Sequence, residues 1–348
     1  MTSSTDGSAP LSLLAEQILG KGGIEQFTSI VEPLSSDLRE VGDRIAEVLP
    51  SAYSFLTEAA NYATASGGKY LRPLVILTTY RALGFQSTTK VQSLAASFQL
   101  IHTASLVHDD VIDHAALRRG RPSIHKAFGE PVAIVTGDYL FVRAFQLAAD
   151  YGSAVIKKCG EASADLALGE VMQENSRFDM TVNKERYLRI IAHKTANAIA
   201  AGAESAAMVA GVDEEIVHSL ADYGRSMGIA FQIKDDILDV FGDPEVTGKP
   251  LLADFREGLP TLPSILAYDL LPAKEKEEFE ELFIVRNKRQ AHLLRLRELC
   301  DAAGVRELVE DEAERWSQAA VSALQHIRPG PYRDLLEKIA EGAVRRRF

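Results

Sequence analysis

Two stretches of this chain set three carboxylates inside an otherwise apolar run: Leu106-Val107-His108-Asp109-Asp110-Val111-Ile112-Asp113 and Ile233-Lys234-Asp235-Asp236-Ile237-Leu238-Asp239. The apolar neighbours recur at helical spacing, so each Asp-Asp-x-x-Asp is expected on a buried or cavity-lining helix. Asp109 and Asp113 then share a face, as do Asp235 and Asp239. Like charges so placed repel, and carboxylates in an apolar segment are expensive to desolvate. A single cluster is compatible with a solvated face, whereas two matched clusters call for something positive between them. Donors that are all oxygen, with no clustering of His or Cys, favour Mg²⁺, a hard cation that shares itself with substrate phosphates.

The rest of the chain is patterned in the same way. Apolar residues at three- and four-residue spacing, among them Leu13, Ile18, Ile30, Leu38, Val41, Ile45 and Val48, predict two helices over Leu11–Leu49, broken at Gly20–Gly23. Further helices are predicted over Ser51–Ala65, Leu71–Leu83, Val91–Ala116, Pro131–Asp150, Ala154–Asn175, Lys184–Gly211 (bent near Ala192) and Glu214–Phe241. Leu117–Pro131 and Gly242–Pro260 read as loops, and helical pattern fills the remainder. No run alternates as a strand would. The expected fold is all-α: one large bundle of about 10–14 helices around a central cavity, spanning residues 10–348 behind a tail at 1–9.

A chain of 348 residues with 46% hydrophobic content can bury a large core. Its net charge of −11 argues against nucleic acid as a partner. An anionic substrate would therefore have to be held by local cations or metal. Cys159 and Cys300 form no disulfide framework and are expected to be buried thiols. No apolar run suggests a transmembrane segment and no signal-peptide core is present, so a cytoplasmic location is expected.

The cations occur in groups. Ser66-Gly67-Gly68-Lys69-Tyr70-Leu71-Arg72-Pro73 launches a Lys and an Arg from a glycine turn, and Arg118-Arg119-Gly120-Arg121 follows the first triad closely. Arg offers a fork matched to phosphate oxygens, and Lys offers a point charge. His102 lies seven residues before Asp109 on the same face, and Gln232 lies three before Asp235. Lys194-Thr195 and Lys249 add further donors. Each group alone also reads blandly, as a helix cap, a salt-bridged surface or a core histidine. Lys69 precedes Asp109 by 40 residues and Lys194 precedes Asp235 by 41, an echo that suggests two half-bundles, each supplying one Asp-bearing helix.

Taken in order, these segments resemble the trans-type isoprenyl (polyprenyl) diphosphate synthases. The matching residues are Gly67 to Pro73, Asp109 to Asp113 with Arg118-Arg119-Gly120, His193-Lys194-Thr195-Ala196, Phe231 to Asp239, and Gly248-Lys249-Pro250. The resemblance implies the type I isoprenoid synthase fold and a prenyltransferase reaction. In it an allylic prenyl diphosphate ionises, and the double bond of isopentenyl diphosphate attacks the carbocation. Metal ligands implied are Asp109, Asp110, Asp113, Asp235 and Asp239, holding Mg²⁺ as three ions when substrate is bound. Arg118, Lys194, Thr195, Gln232 and Lys249 would hold the allylic diphosphate, and Lys69, Arg72, His102 and Arg119 the isopentenyl diphosphate. Asp109, Asp113, Arg118, Lys194 and Asp235 would carry catalysis. Also implied are a homodimer and a peripheral membrane contact for product release.

Three positions depart from the family pattern: Leu252, near which relatives often carry Gly; Leu259, where Lys is common; and Gln99, where many have Glu. In this family the growing tail runs beside the first Asp helix. Ala104 and Ser105 are too small to stop it, Ile101 lies one turn deeper, and Phe98 is a candidate floor. At about one isoprene unit per 5.4 Å turn this predicts a product of about C25–C45. The alternatives are a C20 geranylgeranyl diphosphate synthase, a terpene cyclase (which would not repeat the Asp motif) and a regulatory subunit of a heteromeric synthase. The terminal Val344-Arg345-Arg346-Arg347-Phe348 reads as a solvated tail, with a segment folded over the diphosphate entrance as the alternative.

Overall fold

A computed structural model describes residues 27–65, 70–243 and 251–346. Lys69, Lys249, the expected tail at 1–9 and the helix expected before Gly20 lie outside these described residues. Among the described residues the chain is all-α apart from one two-stranded hairpin. It divides into two compact units, each assembled from separate stretches of chain. The first comprises Met1–Ser163, Ala201–Ala221 and His326–Leu336; the second comprises Ala164–Ala200, Asp222–Gln325 and Glu337–Phe348. One Asp motif falls in each unit.

In the first unit α1 (Thr28–Val48), α2 (Ser54–Thr64), α3 (Leu71–Ala82), α4 (Thr89–Ile112), α5 (Ile124–Phe128) and α6 (Glu130–Ala148) pack around α4. α4 is buried on nearly every face, through Val91, Leu94, Ala95, Phe98, Ile101, Ala104 and Val107. This is why its sequence reads as continuously apolar rather than striped. It lies closest to α6, where a Cβ on Gly137 would fall 2.1 Å from His108 Nε2. The stretch Glu130–Tyr151, with mean hydropathy 1.3, is long and apolar enough by composition to cross a membrane, although no transmembrane segment is expected from the sequence pattern. It is a helix packed against α4 in this unit.

The first triad sits at the C-terminal end of α4, and the helix stops there for a local reason. His114 takes a left-handed φ of 50°. The Ala115 amide then donates to Asp110 O at 3.0 Å and the His114 amide to Val111 O at 3.2 Å, which is a Schellman turn. The chain reverses through β1 (Leu117–Arg118) and β2 (Arg121–Pro122), where the sequence pattern predicts a loop. The two-residue connection Arg119-Gly120, with φ of 52° and 76°, has the positive values that a tight hairpin turn needs.

α7 (Ser153–Glu174) and α9 (Asn197–Ala210) contribute segments to both units, as does α10 (Glu214–Phe241). The second unit adds α8 (Lys184–Ile191), α11 (Ala253–Glu257), α12 (Leu262–Leu270), α13 (Ala273–Phe283), α14 (Gln290–Ala302), α15 (Val305–Ala323) and the later part of α16 (Pro331–Arg345). Its core gathers Tyr187, Ile233, Ile237, Phe241, Phe255, Phe279, Phe283 and Leu296. The bend expected near Ala192 is a π-helical turn over Ala192–Ala196, between α8 and α9. Cys159 and Cys300 are buried thiols, as their sequence context suggests.

Candidate active site

In the first unit the hairpin folds Arg118 back onto the helix it has just left. Arg118 Nε and Nη2 donate to Asp110 Oδ1 at 2.9 and 2.5 Å. Asp110 is 3% exposed, so this carboxylate faces the guanidinium, whereas Asp109 and Asp113 are half-exposed. Asp110, expected as a metal ligand, is paired here with Arg118. Arg119, Arg118 and Asp110 line a small pocket with Tyr70, Gln99 and Thr103.

The electrostatics of this corner are one-sided. Arg72 Nε is buried with no hydrogen-bond partner among the described residues. Burial lowers the Arg72 guanidinium to about 10. Burial, with Arg72, Arg119 and Arg118 nearby, holds the His102 imidazole well below its usual range, so it is neutral near pH 7. An orphaned buried donor in a cluster of cations is the arrangement an anion completes. Tyr70 and Arg119 both hold left-handed backbone, with φ of 47° and 52°. Such strain persists only where the surrounding structure imposes it, and it gathers at functional sites.

The second unit builds a different arrangement. The π turn presents Lys194 and Thr195 side by side. Lys194 Nζ pairs with Glu170 Oε2 at 2.6 Å, and Thr195 Oγ1 donates to Gln232 Oε1 at 2.9 Å. Gln232 Nε2 in turn donates to Asp236 Oδ1 at 3.0 Å, while the Tyr187 hydroxyl donates to Asp236 Oδ2 at 2.6 Å. Asp236 is 4% exposed. Burial raises its carboxyl to about 7, against the pull of the Tyr187 and Gln232 hydrogen bonds and with Asp235 and Asp239 adding to the rise. Asp239 accepts the amides of Ala253 and Asp254 at 3.0 and 3.1 Å, which ties the start of α11 to α10. Asp235 keeps a side chain 43% exposed.

Small residues allow this packing. A Cβ on Gly169 would lie 2.5 Å from the Lys194 amide nitrogen, and one on Gly228 would lie 2.6 Å from Ala196 Cα. α7 and α10 can therefore grip the π turn backbone to backbone. Sequence reasoning missed Tyr187, Glu170 and these glycines because their roles come from tertiary contacts with no motif spacing. Leu252, the first of the three departures, takes a φ of 64° while its side chain is 2% exposed in the core. Leu259, where Lys is common, is 8% exposed.

Ile101, Ala104 and Phe98 are fully buried in α4, and Ser105 is half-buried with its hydroxyl donating to His102 O at 2.9 Å. Phe98 packs near the start of the α9 segment in this unit, where a Cβ on Gly202 would lie 3.8 Å from its ring. The donor chemistry fits a hard divalent cation. In the first unit Asp109 lies in the last turn of α4 with Asp113 as its C-cap; in the second, Asp235 lies on a partly open face of α10; each offers oxygen only.

A family model described as Polyprenyl synthetase matches residues 53–300. The octaprenyl diphosphate synthase of Escherichia coli (strain K12) is 35% identical over 319 residues, covering 91% of this chain and 98% of that protein. A decaprenyl diphosphate synthase from Rhodobacter capsulatus superposes with a TM-score of 0.86 at 33% identity, covering 91% of this chain and 98% of that one. A polyprenyl synthase from Caulobacter crescentus CB15, solved with calcium and isoprenyl diphosphate, gives 0.85 at 34% identity over the whole of both chains. Sequence model, full-length relative and fold agree, and this chain belongs to the polyprenyl synthetase family of all-α trans-prenyltransferases.

Proposed function

We propose that the protein condenses an allylic prenyl diphosphate with isopentenyl diphosphate head to tail, repeatedly, to give a medium-to-long all-trans polyprenyl diphosphate. The observation that carries this reading is the orphaned, buried Arg72 among Arg118, Arg119 and neutral His102, a ready-made anion pocket beside an Asp motif. In the reading Arg72, His102 and Arg119, with Lys69, hold isopentenyl diphosphate. Lys194, Thr195, Gln232, Arg118 and Lys249 hold the allylic diphosphate. Asp109, Asp113, Asp235 and Asp239 would hold Mg²⁺, which when bound supplies charge for the departing pyrophosphate. The chain's own work is orientation and fixed positive charge, which is why no protein nucleophile is required. Support for metal and diphosphate comes also from the Caulobacter relative, whose structure holds calcium and isoprenyl diphosphate.

Support for a long product comes from the octaprenyl and decaprenyl synthases, and from Ala104 and Ser105 as small residues below Asp109. The testing experiment is mass spectrometry of products formed by the purified chain with Mg²⁺, farnesyl diphosphate and labelled isopentenyl diphosphate. Products longer than C20 are expected. A product ending at C20 would overturn the length, and no elongation by the chain alone would favour a subunit role.

A further inference from the structure

The basic run near residue 345 reads from sequence either as a solvated tail or as a segment folded over the diphosphate entrance, and Arg346 is not solvated. Arg346 is 8% exposed. Its nitrogens are all engaged: Nε donates to Ala343 O at 3.1 Å, Nη2 to Phe231 O at 2.6 Å, and Nη1 to Asp235 Oδ1 at 2.7 Å. The guanidinium carbon lies 3.8 Å from the centroid of the Phe231 ring. Every partner but Asp235 belongs to the backbone or to a ring, so the fork is fixed independently of the carboxylate it meets. A buried guanidinium is costly unless its donors are met, and here two of them are met by backbone carbonyls: Ala343 O on α16 and Phe231 O on α10, one turn before the Asp motif.

We propose that Arg346 is a positioning residue for Asp235: anchored on Phe231, it fixes one carboxylate oxygen and thereby aims the remainder at the divalent cation. The inference rests on the prenyltransferase reading above and extends it to a residue outside the motifs. The geometry separates two faces of Asp235. Oδ1 takes the guanidinium, yet the side chain stays 43% exposed. A partner that orients a metal-bound carboxylate typically changes metal affinity by about 10–100-fold when removed.

The test is Mn²⁺ binding, followed by electron paramagnetic resonance of the free ion, with inorganic pyrophosphate present. Arg346→Gln should weaken Mn²⁺ binding by about 10–100-fold. The metal concentration for half-maximal rate should rise in parallel while KM for isopentenyl diphosphate stays within about twofold. Unchanged Mn²⁺ affinity overturns the proposal, as does an equal rise in both constants, which would signal general loosening. If Arg346→Gln does not fold, Arg346→Lys keeps the stem over Phe231 but loses the fork, and it should still weaken Mn²⁺ at least about fivefold. In an Asp235→Asn background, Arg346→Gln should add almost nothing; a full additional loss would show that Arg346 acts elsewhere. Failure of the unaltered chain to bind Mn²⁺ with pyrophosphate would instead sink the prenyltransferase reading beneath it.

Discussion

Leu252 sets backbone strain against side-chain burial, two effects of similar size. Its left-handed backbone costs about 1–2 kcal/mol, while truncating a buried leucine costs about 2–5 kcal/mol. Burial wins, so Leu252→Gly should lower stability by about 1–3 kcal/mol in urea unfolding, even though relatives carry Gly nearby. A gain in stability would show that strain outweighs burial at this position. His102 supplies a pH signature. Its folded pKa lies below the unfolded value, so between the two the unfolded chain binds more protons, and stability rises with pH. The contribution is fully present above about pH 6.5 and is lost as pH falls below it. Thermal melts across about pH 5–7 should rise for the native protein and flatten for His102→Gln. Asp110→Asn should leave Arg118 poorly held and raise KM for diphosphate substrates about tenfold, the worth of one charge-assisted hydrogen bond.

Among the elements, the π turn and the hairpin are the two departures from regular helix that position chemistry. Gly169→Ala would press a methyl group against the Lys194 amide. We expect a stability loss of about 1–3 kcal/mol together with a rise in KM for the allylic substrate, since Lys194 and Thr195 ride on that turn. KM for isopentenyl diphosphate should hold, and steady-state kinetics with each substrate varied separately will tell. Both devices leave traces in the sequence. The spacing through Lys184–Gly211 marks a bend near Ala192 but not its π character, because one extra residue per turn is set by what α7 and α10 press against it. Arg-Arg-Gly-Arg signals a tight turn. The strands on either side are too short to alternate, and they are held by the Schellman turn and by the Tyr62 hydroxyl donating to Pro122 O at 2.8 Å.

For the molecule taken together, the predictions concern ligand linkage and product. Mg²⁺ with inorganic pyrophosphate should raise the melting temperature, because a ligand at a hundred times its Kd stabilises by about 2.7 kcal/mol; a chelator should reverse the shift and abolish turnover. Phe98→Ala should lengthen the product if that ring is the floor, and Ala104→Phe should shorten it; chromatography of the products reads both. The helical class, the two Asp motifs and the identity of most cations beside them are legible in the chain alone, because periodicity and residue chemistry are local properties. Packing in three dimensions chose which carboxylate of each triad turns inward. It gave Asp110 to Arg118 and Asp236 to Tyr187 and Gln232, and it buried Arg346 on Phe231. Those pairings join residues from 4 to 115 positions apart, and only a packed core sets which of several equivalent acids bears the cost of desolvation.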